Sequence, residues 1–376
     1  MEDEIKRVIL VANVAKEHVL KFHVPTIKML KEKAWYIDVA CSGDEEIPYC
    51  DNQFHMCFKR NPFSIGTIKG IIQLRRILNK GQYDIISCHT PTGGVVARIA
   101  AIGLKKKPYV IYTAHGFHFF KGAPMVNWLI YFPIEWILSH FTDELVVINQ
   151  EDYANAVKYR MGMNKLTLIP GMGVDKNRFS LRLSDEEKES LRHEIGIPDN
   201  DFVYTYVAEV VRNKNQKLLL NALKIVRKKT EKGILLLVGP IHDGGECQKL
   251  AVDLDIANFV YFIGWRNDVE KLFKITDVCV ASSIREGLGL NLIEAQFSGV
   301  PVIASENRGH KDIIQNGKNG ILINCHDFQP FAKAMILLQK NEKIRQEIAV
   351  AGLHSAAEYS HENSLKSIWE IYRGAK

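Results

Sequence analysis

Residues 282–305 read SSIREGLGLNLIEAQFSGVPVIAS. Ser282 to Gly289 is a turn-rich loop. Leu290, Ile293, Glu294 and Phe297 then recur at helical spacing, which predicts a helix starting at Gly289 or Leu290. Ser298-Gly299 ends it, and Val300-Pro301-Val302-Ile303-Ala304 reads as a short buried strand. A helix N-terminus offers unpaired backbone N–H groups and the positive end of the helix dipole, which suits a phosphate. Gly287 and Gly289 carry no side chain that would keep a ligand away from those groups. Glu286 stands just before the helix and Glu294 a little over one turn inside it. A carboxylate repels phosphate, so this pair addresses other parts of the ligand. Sugar hydroxyls are the natural donors, and each hydrogen bond to a charged acceptor contributes about 1.5–3 kcal/mol. The ligand implied is a phosphate ester flanked by polyols, a nucleotide sugar.

The run E-G-L-G-L-N-L-I-E-A, with glutamates eight apart, followed by S-G-V-P-V-I-A, resembles the signature of glycosyltransferase family 4, in the style of its bacterial capsule and exopolysaccharide members. The resemblance implies an α/β GT-B fold: two Rossmann-like, doubly wound parallel-sheet domains facing a central cleft, with a C-terminal helix crossing back to the first. It implies retaining sugar transfer, with Glu286 against the donor sugar, Glu294 on the ribose hydroxyls, and Gly287, Leu288, Gly289 and Leu290 along the donor.

Composition fits that class. A chain of 376 residues suggests two or three domains, each large enough to bury a core. Apolar residues make up 47% and charged residues 24%, as in ordinary globular proteins. The net charge of +6 suits an anionic ligand or membrane surface and is too small and scattered to mark nucleic-acid binding. Seven dispersed cysteines (Cys41, Cys50, Cys57, Cys88, Cys247, Cys279, Cys325) form no C-x-x-C pair and read as reduced thiols of a cytoplasmic protein. Met1-Glu2-Asp3-Glu4 is not a signal-peptide start, and no window reaches the roughly 20 apolar residues of a membrane span. Peripheral association with the inner face of the cell membrane stays open.

The remaining pattern predicts an N-terminal domain over 1–178, a second over 179–358, and a terminal helix over 359–376. Val8–Val11, a helix from His18 to Leu30 that Pro25 must kink or restart, and Tyr36–Ala40 form a β-α-β start. No G-x-G-x-x-G follows the first strand, which removes the main support for a dehydrogenase. Strand Tyr109–Thr113 ends in Ala114-His115-Gly116, so His115 lies at a carboxyl end of the sheet, where ligands collect. The family resemblance implies that it contacts the donor sugar. His89 and His118 read as structural. Without Asp-x-Asp or His-x-His spacing, no metal site is expected. Phe117 to Phe141 is rich in aromatic residues and reads either as a core helix or as an interfacial anchor gripping a lipid-linked acceptor.

In the second half, Ala208–Gln216 occupies the place of the family's G-R-L-x-x-x-K-G. Lys214 matches the lysine that neutralises the donor diphosphate. Glu209 replaces the usual arginine, an inversion of charge, and Arg212 is the nearest substitute. Trp265 and Arg266 follow a strand where the family holds the nucleobase, and Arg308 stands where it could close over the donor. The expected protein is a metal-free and cofactor-free hexosyltransferase. It would use a UDP-sugar and a lipid-linked, polyprenyl-diphosphate-type glycan acceptor, with Glu286, His115 and Lys214 at the reacting centre. A UDP-sugar epimerase of the same fold and a non-catalytic sugar-nucleotide-binding partner subunit are the alternatives.

Overall fold

The computed structural model describes residues 5–57, 64–162, 164–324 and 326–375; Cys325 lies outside them. The chain divides into two compact units, Met1–Gly173 with His361–Lys376, and Val174–Ser360. The division falls five residues before the boundary at 178 read from the sequence. Val174 N–H donates to Tyr359 O, and Val174 bridges Ser360, so the two chain crossings are paired inside the second unit.

The first unit is built on seven parallel strands: β1 (Arg7–Val14), β2 (Tyr36–Ser42), β3 (Asn52–His55), β4 (Ile85–His89), β5 (Tyr109–Ala114), β6 (Glu144–Val147) and β7 (Leu166–Leu168). Their order is β3-β2-β1-β4-β5-β6-β7. The central strands are apolar on both faces, as helices on both sides of a parallel sheet require; Val8 to Ala12 are fully buried. Edge strand β3 was not expected, because its sequence, NQFH, carries no apolar run. It pairs with β2 from Asp38 to Cys41. The terminal helix His361–Gly374 packs on this unit. Trp369 lies against Trp35, with ring centroids 5.3 Å apart, and the Tyr372 hydroxyl donates to Ser87 Oγ at 2.6 Å.

The second unit has six parallel strands: β8 (Val203–Val207), β9 (Ile234–Val238), β10 (Val260–Gly264), β11 (Val278–Ala281), β12 (Val302–Ser305) and β13 (Ile321–Ile323). The order is β10-β9-β8-β11-β12-β13. The topological switch lies where β8 meets β11, the place where ligands bind outside the carboxyl ends of strands. β12 starts at Val302, two residues later than the apolar run. Pro301 lacks a donor but still accepts from Cys279 N at 2.9 Å. Asp185–Ile195 is a helix opened by a capping box between Ser184 and Glu187, as its sequence implies.

Candidate functional site

In the second unit the loop after β11 leads into helix Leu290–Phe297, whose N-cap residue is a glycine and so supplies no side-chain cap. Gly289, its N-cap residue, has φ of 116°, a conformation that L side chains rarely adopt. A β-carbon there would also come within 2.9 Å of His310 Cδ2. The loop is held from behind. Ser305 Oγ and Asn307 Nδ2 donate to Ser283 O, the second at 3.0 Å. Arg308 Nε donates to Glu286 O at 3.2 Å, and Gly309 packs against the Leu288 backbone. His310 is fully buried; one ring nitrogen meets Ser305 O at 2.7 Å, while Nε2 has no protein partner.

Lys214 and Glu286, 72 residues apart in sequence, form an ion pair at 2.5 Å. Ser283 Oγ donates to the same carboxylate oxygen at 2.6 Å. Burial pushes the Glu286 carboxyl up, but Lys214, His310 and these hydrogen bonds outweigh it and hold the pKa below the ordinary value, so the group stays ionised. Arg285 is pulled down by burial and by neighbouring Arg308. Lys214, Arg285 and Arg308 thus put cationic side chains near the glycine-capped N-terminus of this helix, an arrangement that suits an anion.

The other expected residues spread around this centre. Glu294 is half-buried on the helix, and Leu288 is buried at the loop's end. Arg212 is exposed, two residues before Lys214 on the same short turn, and Glu209 is also exposed. Trp265 is exposed after edge strand β10. Arg266 is engaged with Asp268 at 2.7 Å and Glu194 at 2.8 Å.

His115 lies in the first unit, beyond the end of β5, and it is not alone. His18 Nε2 and His23 Nε2 are 3.1 Å apart, and His89 Nδ1 is 3.3 Å from His115 Nε2. His89 is anchored further through Ser87 Oγ at 3.1 Å. Burial lowers all four pKa values, that of His18 to about 2 and that of His115 to about 4. Beside them is a cavity of about 300 Å³ lined by His18, Thr90, His118, Tyr131 and Glu135, among others. Thr90, at its edge, has φ of 66°. With ψ of 154° this is a backbone conformation rare outside glycine, and such strained residues cluster at functional sites.

A pH dependence follows. His23 and His89 are nearly inaccessible and neutral in the fold, whereas an unfolded histidine titrates near 6.5. Below that pH the unfolded chain binds protons that the folded chain does not, so stability falls as pH falls. The slope is about 1.4 kcal/mol per pH unit for each such group. Thermal melts in chelator-containing buffer from pH 8 to pH 5 should show a steep loss below about pH 6.5; a flat profile would contradict neutral burial of the set.

Two family models match the chain: "Glycosyl transferase 4-like" over residues 7–149 and "Glycosyl transferases group 1" over residues 187–354. EpsD of Bacillus subtilis, a proposed glycosyltransferase, is 38% identical over 356 residues, covering 94% of this chain and 93% of its own. The chain belongs to glycosyltransferase family 4. A second relative of this family 4 protein is the UDP-Gal:alpha-D-GlcNAc-diphosphoundecaprenol alpha-1,3-galactosyltransferase of Escherichia coli, 29% identical over 82% of this chain and 81% of its own. Among solved structures, Anabaena Alr3699/HepE in complex with UDP-glucose superposes with a TM-score of 0.82 at 18% identity, covering 98% of this chain and 100% of that one. That likeness establishes the GT-B fold.

The sequence alone gives no role to four residues that the fold brings to these places. Arg285 and Ser283 read as parts of the loop before the helix, and His18 and His23 as parts of one helix.

Proposed function

We propose that the protein is a retaining hexosyltransferase or N-acetylhexosaminyltransferase. It moves the sugar of a UDP-sugar to a polyprenyl-diphosphate-linked glycan in bacterial surface-polysaccharide synthesis. The observation that carries this reading is the Lys214–Glu286 pair beside the glycine-capped N-terminus of Leu290–Phe297. As the bond from the anomeric carbon to the diphosphate oxygen breaks, negative charge grows on the departing diphosphate. Lys214, Arg285, Arg308 and the helix end meet that charge, so the donor site is assigned no metal. The acceptor hydroxyl attacks from the face the diphosphate leaves and passes its proton to a phosphate oxygen. The printed name of the Escherichia coli relative, with its UDP-galactose donor and diphosphoundecaprenol-linked acceptor, supports the choice of substrates.

Glu294→Ala tests the donor site. Losing hydrogen bonds from the ribose hydroxyls to a carboxylate should weaken UDP binding by about 1.5–3 kcal/mol, or roughly 10- to 100-fold, in calorimetry. Unchanged affinity would remove Glu294 from the nucleotide site.

The acceptor side is assigned to the first unit and its cavity. Helix Met125–Ser139 buries Glu135 and Leu138 and packs Trp128, Tyr131 and Phe132 on the core. Its other side leaves Met125, Val126, Leu129 and Ile137 at least half exposed. One face of this segment is therefore core, and the other is apolar and exposed. No helix among the described residues is long and apolar enough to cross a membrane. An apolar helix face with exposed Lys121 beside it suits the surface of an anionic bilayer. Leu129→Asp should weaken co-sedimentation with anionic phospholipid vesicles by about tenfold or more, since burying a leucine contributes about 1.5–3 kcal/mol. A wild-type protein that ignores such vesicles would end the membrane part of this reading.

A further inference from the structure

We propose that His18, His23 and His115 form a binding site for a zinc-type divalent metal ion, next to the cavity that His18 also lines. One ligand nitrogen from each lies within 4.8 Å of the others. In a tetrahedral zinc site with zinc–nitrogen bonds of about 2.0–2.1 Å, ligand nitrogens stand about 3.3 Å apart. The His18–His23 pair, at 3.1 Å, already has that spacing. The third nitrogen lies within 4.8 Å of these two, and the ion must draw it in by up to about 1.5 Å.

His18 and His23 turn their Nε2 atoms toward each other, so an ion between them would replace one imidazole–imidazole contact. A neutral imidazole has one donor nitrogen and one acceptor nitrogen. An ion between the two rings takes His23 through Nε2, and its buried Nδ1 then carries the ring proton, without a protein partner with or without the ion. Stacking histidines this tightly, with ring centroids 4.8 Å apart for His18–His23 and 4.9 Å for His18–His115, brings little hydrophobic gain. Imidazole nitrogens are, by contrast, preferred ligands of zinc, copper and nickel.

The fourth histidine belongs to the outer shell. His89 uses Nδ1 toward His115 and Nε2 toward Ser87, whose hydroxyl also accepts from Tyr372. This chain of contacts fixes the His115 ring, as the second shell of a metal ligand does. Three neutral ligands leave the ion its double charge and an open position, the arrangement of catalytic rather than structural zinc. That position takes water or an anionic oxygen. The site lies wholly in the first unit, and it stands even if the sugar-transfer reading fails, because its test reads metal rather than turnover.

The full-length protein, stripped with chelator, would be titrated with Zn²⁺ in a calorimeter and with Co²⁺ in a visible spectrophotometer. One equivalent should bind per chain, and Co²⁺ should give the intense visible bands of a low-coordinate site. Removing an outer-shell partner typically costs 10- to 100-fold in affinity, so losing a ligand in His18→Gln or His23→Gln should cost at least about 100-fold. His354→Gln, at an exposed position, should bind like wild type. Zn²⁺ should raise the melting temperature of the wild type and not of His18→Gln. No stoichiometric binding, or binding that survives His18→Gln, overturns the site. If circular dichroism shows His23→Gln unfolded, His18→Gln decides the matter, because that side chain lies at the cavity's edge.

Discussion

Arg98→Ala should destabilise the first unit by about 3–5 kcal/mol, the cost of breaking a buried ion pair by removing one partner. Arg98 is 1% exposed, inside helix Pro91–Ala101. Its Nη2 donates to Glu135 Oε2 at 2.8 Å and its Nε to Gly94 O at 2.9 Å. The guanidinium also lies over the Tyr112 ring, 3.8 Å from the centroid, and Tyr112 donates to the other Glu135 oxygen at 3.0 Å. Alanine would leave a carboxylate buried with only a phenol for company, and a cavity where the guanidinium was. For a unit of this size each kcal/mol moves the melting temperature by about 2–4 °C, so calorimetry should show a fall of roughly 6–20 °C. Replacing Arg98 and Glu135 together with apolar residues of similar volume should recover most of the loss, because the desolvation cost of both charges disappears with them. A single mutant within about 1 kcal/mol of wild type would mean that water reaches the pair. Because Glu135 also lines the cavity of the first unit, the same pair sets that cavity's shape.

Neither partner announced itself in the sequence. Arg98 sits in a small, apolar helix where nothing local marks it as half of an ion pair; Glu135 reads as an interruption of an aromatic face. Only the fold brings them together, 37 residues apart. The histidine cluster was hidden for a different reason. His18 and His23 are five apart, a spacing that puts two side chains on different faces of a regular α-helix. Here a π-helical turn over Ala15–Val19 and a break at His23, just before Pro25, place the rings against each other. By contrast, the segment from Ser282 to Ser305 was legible because its signals agree: apolar strands, two glycines, helical spacing and a stop at Ser298-Gly299 all describe one loop-helix-strand unit. What it did not disclose was its support. The contacts that Ser305, Asn307 and Gly309 make on the loop's backbone are long-range, and their residue types are common in any turn.

Glu286→Gln should leave UDP binding intact or slightly tighter and should cut sugar transfer by at least about 100-fold, the loss expected when a reacting group is misplaced by about 1 Å. The ion pair is the reason for the split. Glutamine keeps an oxygen that can accept from Ser283, so the loop retains its local geometry. It loses the charge that holds Lys214, which frees the ammonium for the diphosphate and works in favour of nucleotide binding. The donor sugar loses a charged acceptor for its hydroxyls, and with it the alignment of the anomeric carbon. The expected signature is a fall in kcat with little change in KM for the donor, read from initial rates, together with a calorimetric UDP affinity at or above that of wild type. A mutant that turns over nearly normally would take Glu286 out of the chemistry and leave it as the counter-ion of Lys214. Weaker UDP binding with unchanged kcat would reverse the roles assigned to Glu286 and Glu294. Since Glu286 titrates below the ordinary carboxylate range, the wild-type pair should stay intact from neutral pH down past the usual glutamate value and come apart only in stronger acid. Protonation of Glu286 already at the ordinary value, in protein that circular dichroism shows still folded, would show that Lys214 does not hold the carboxylate in solution.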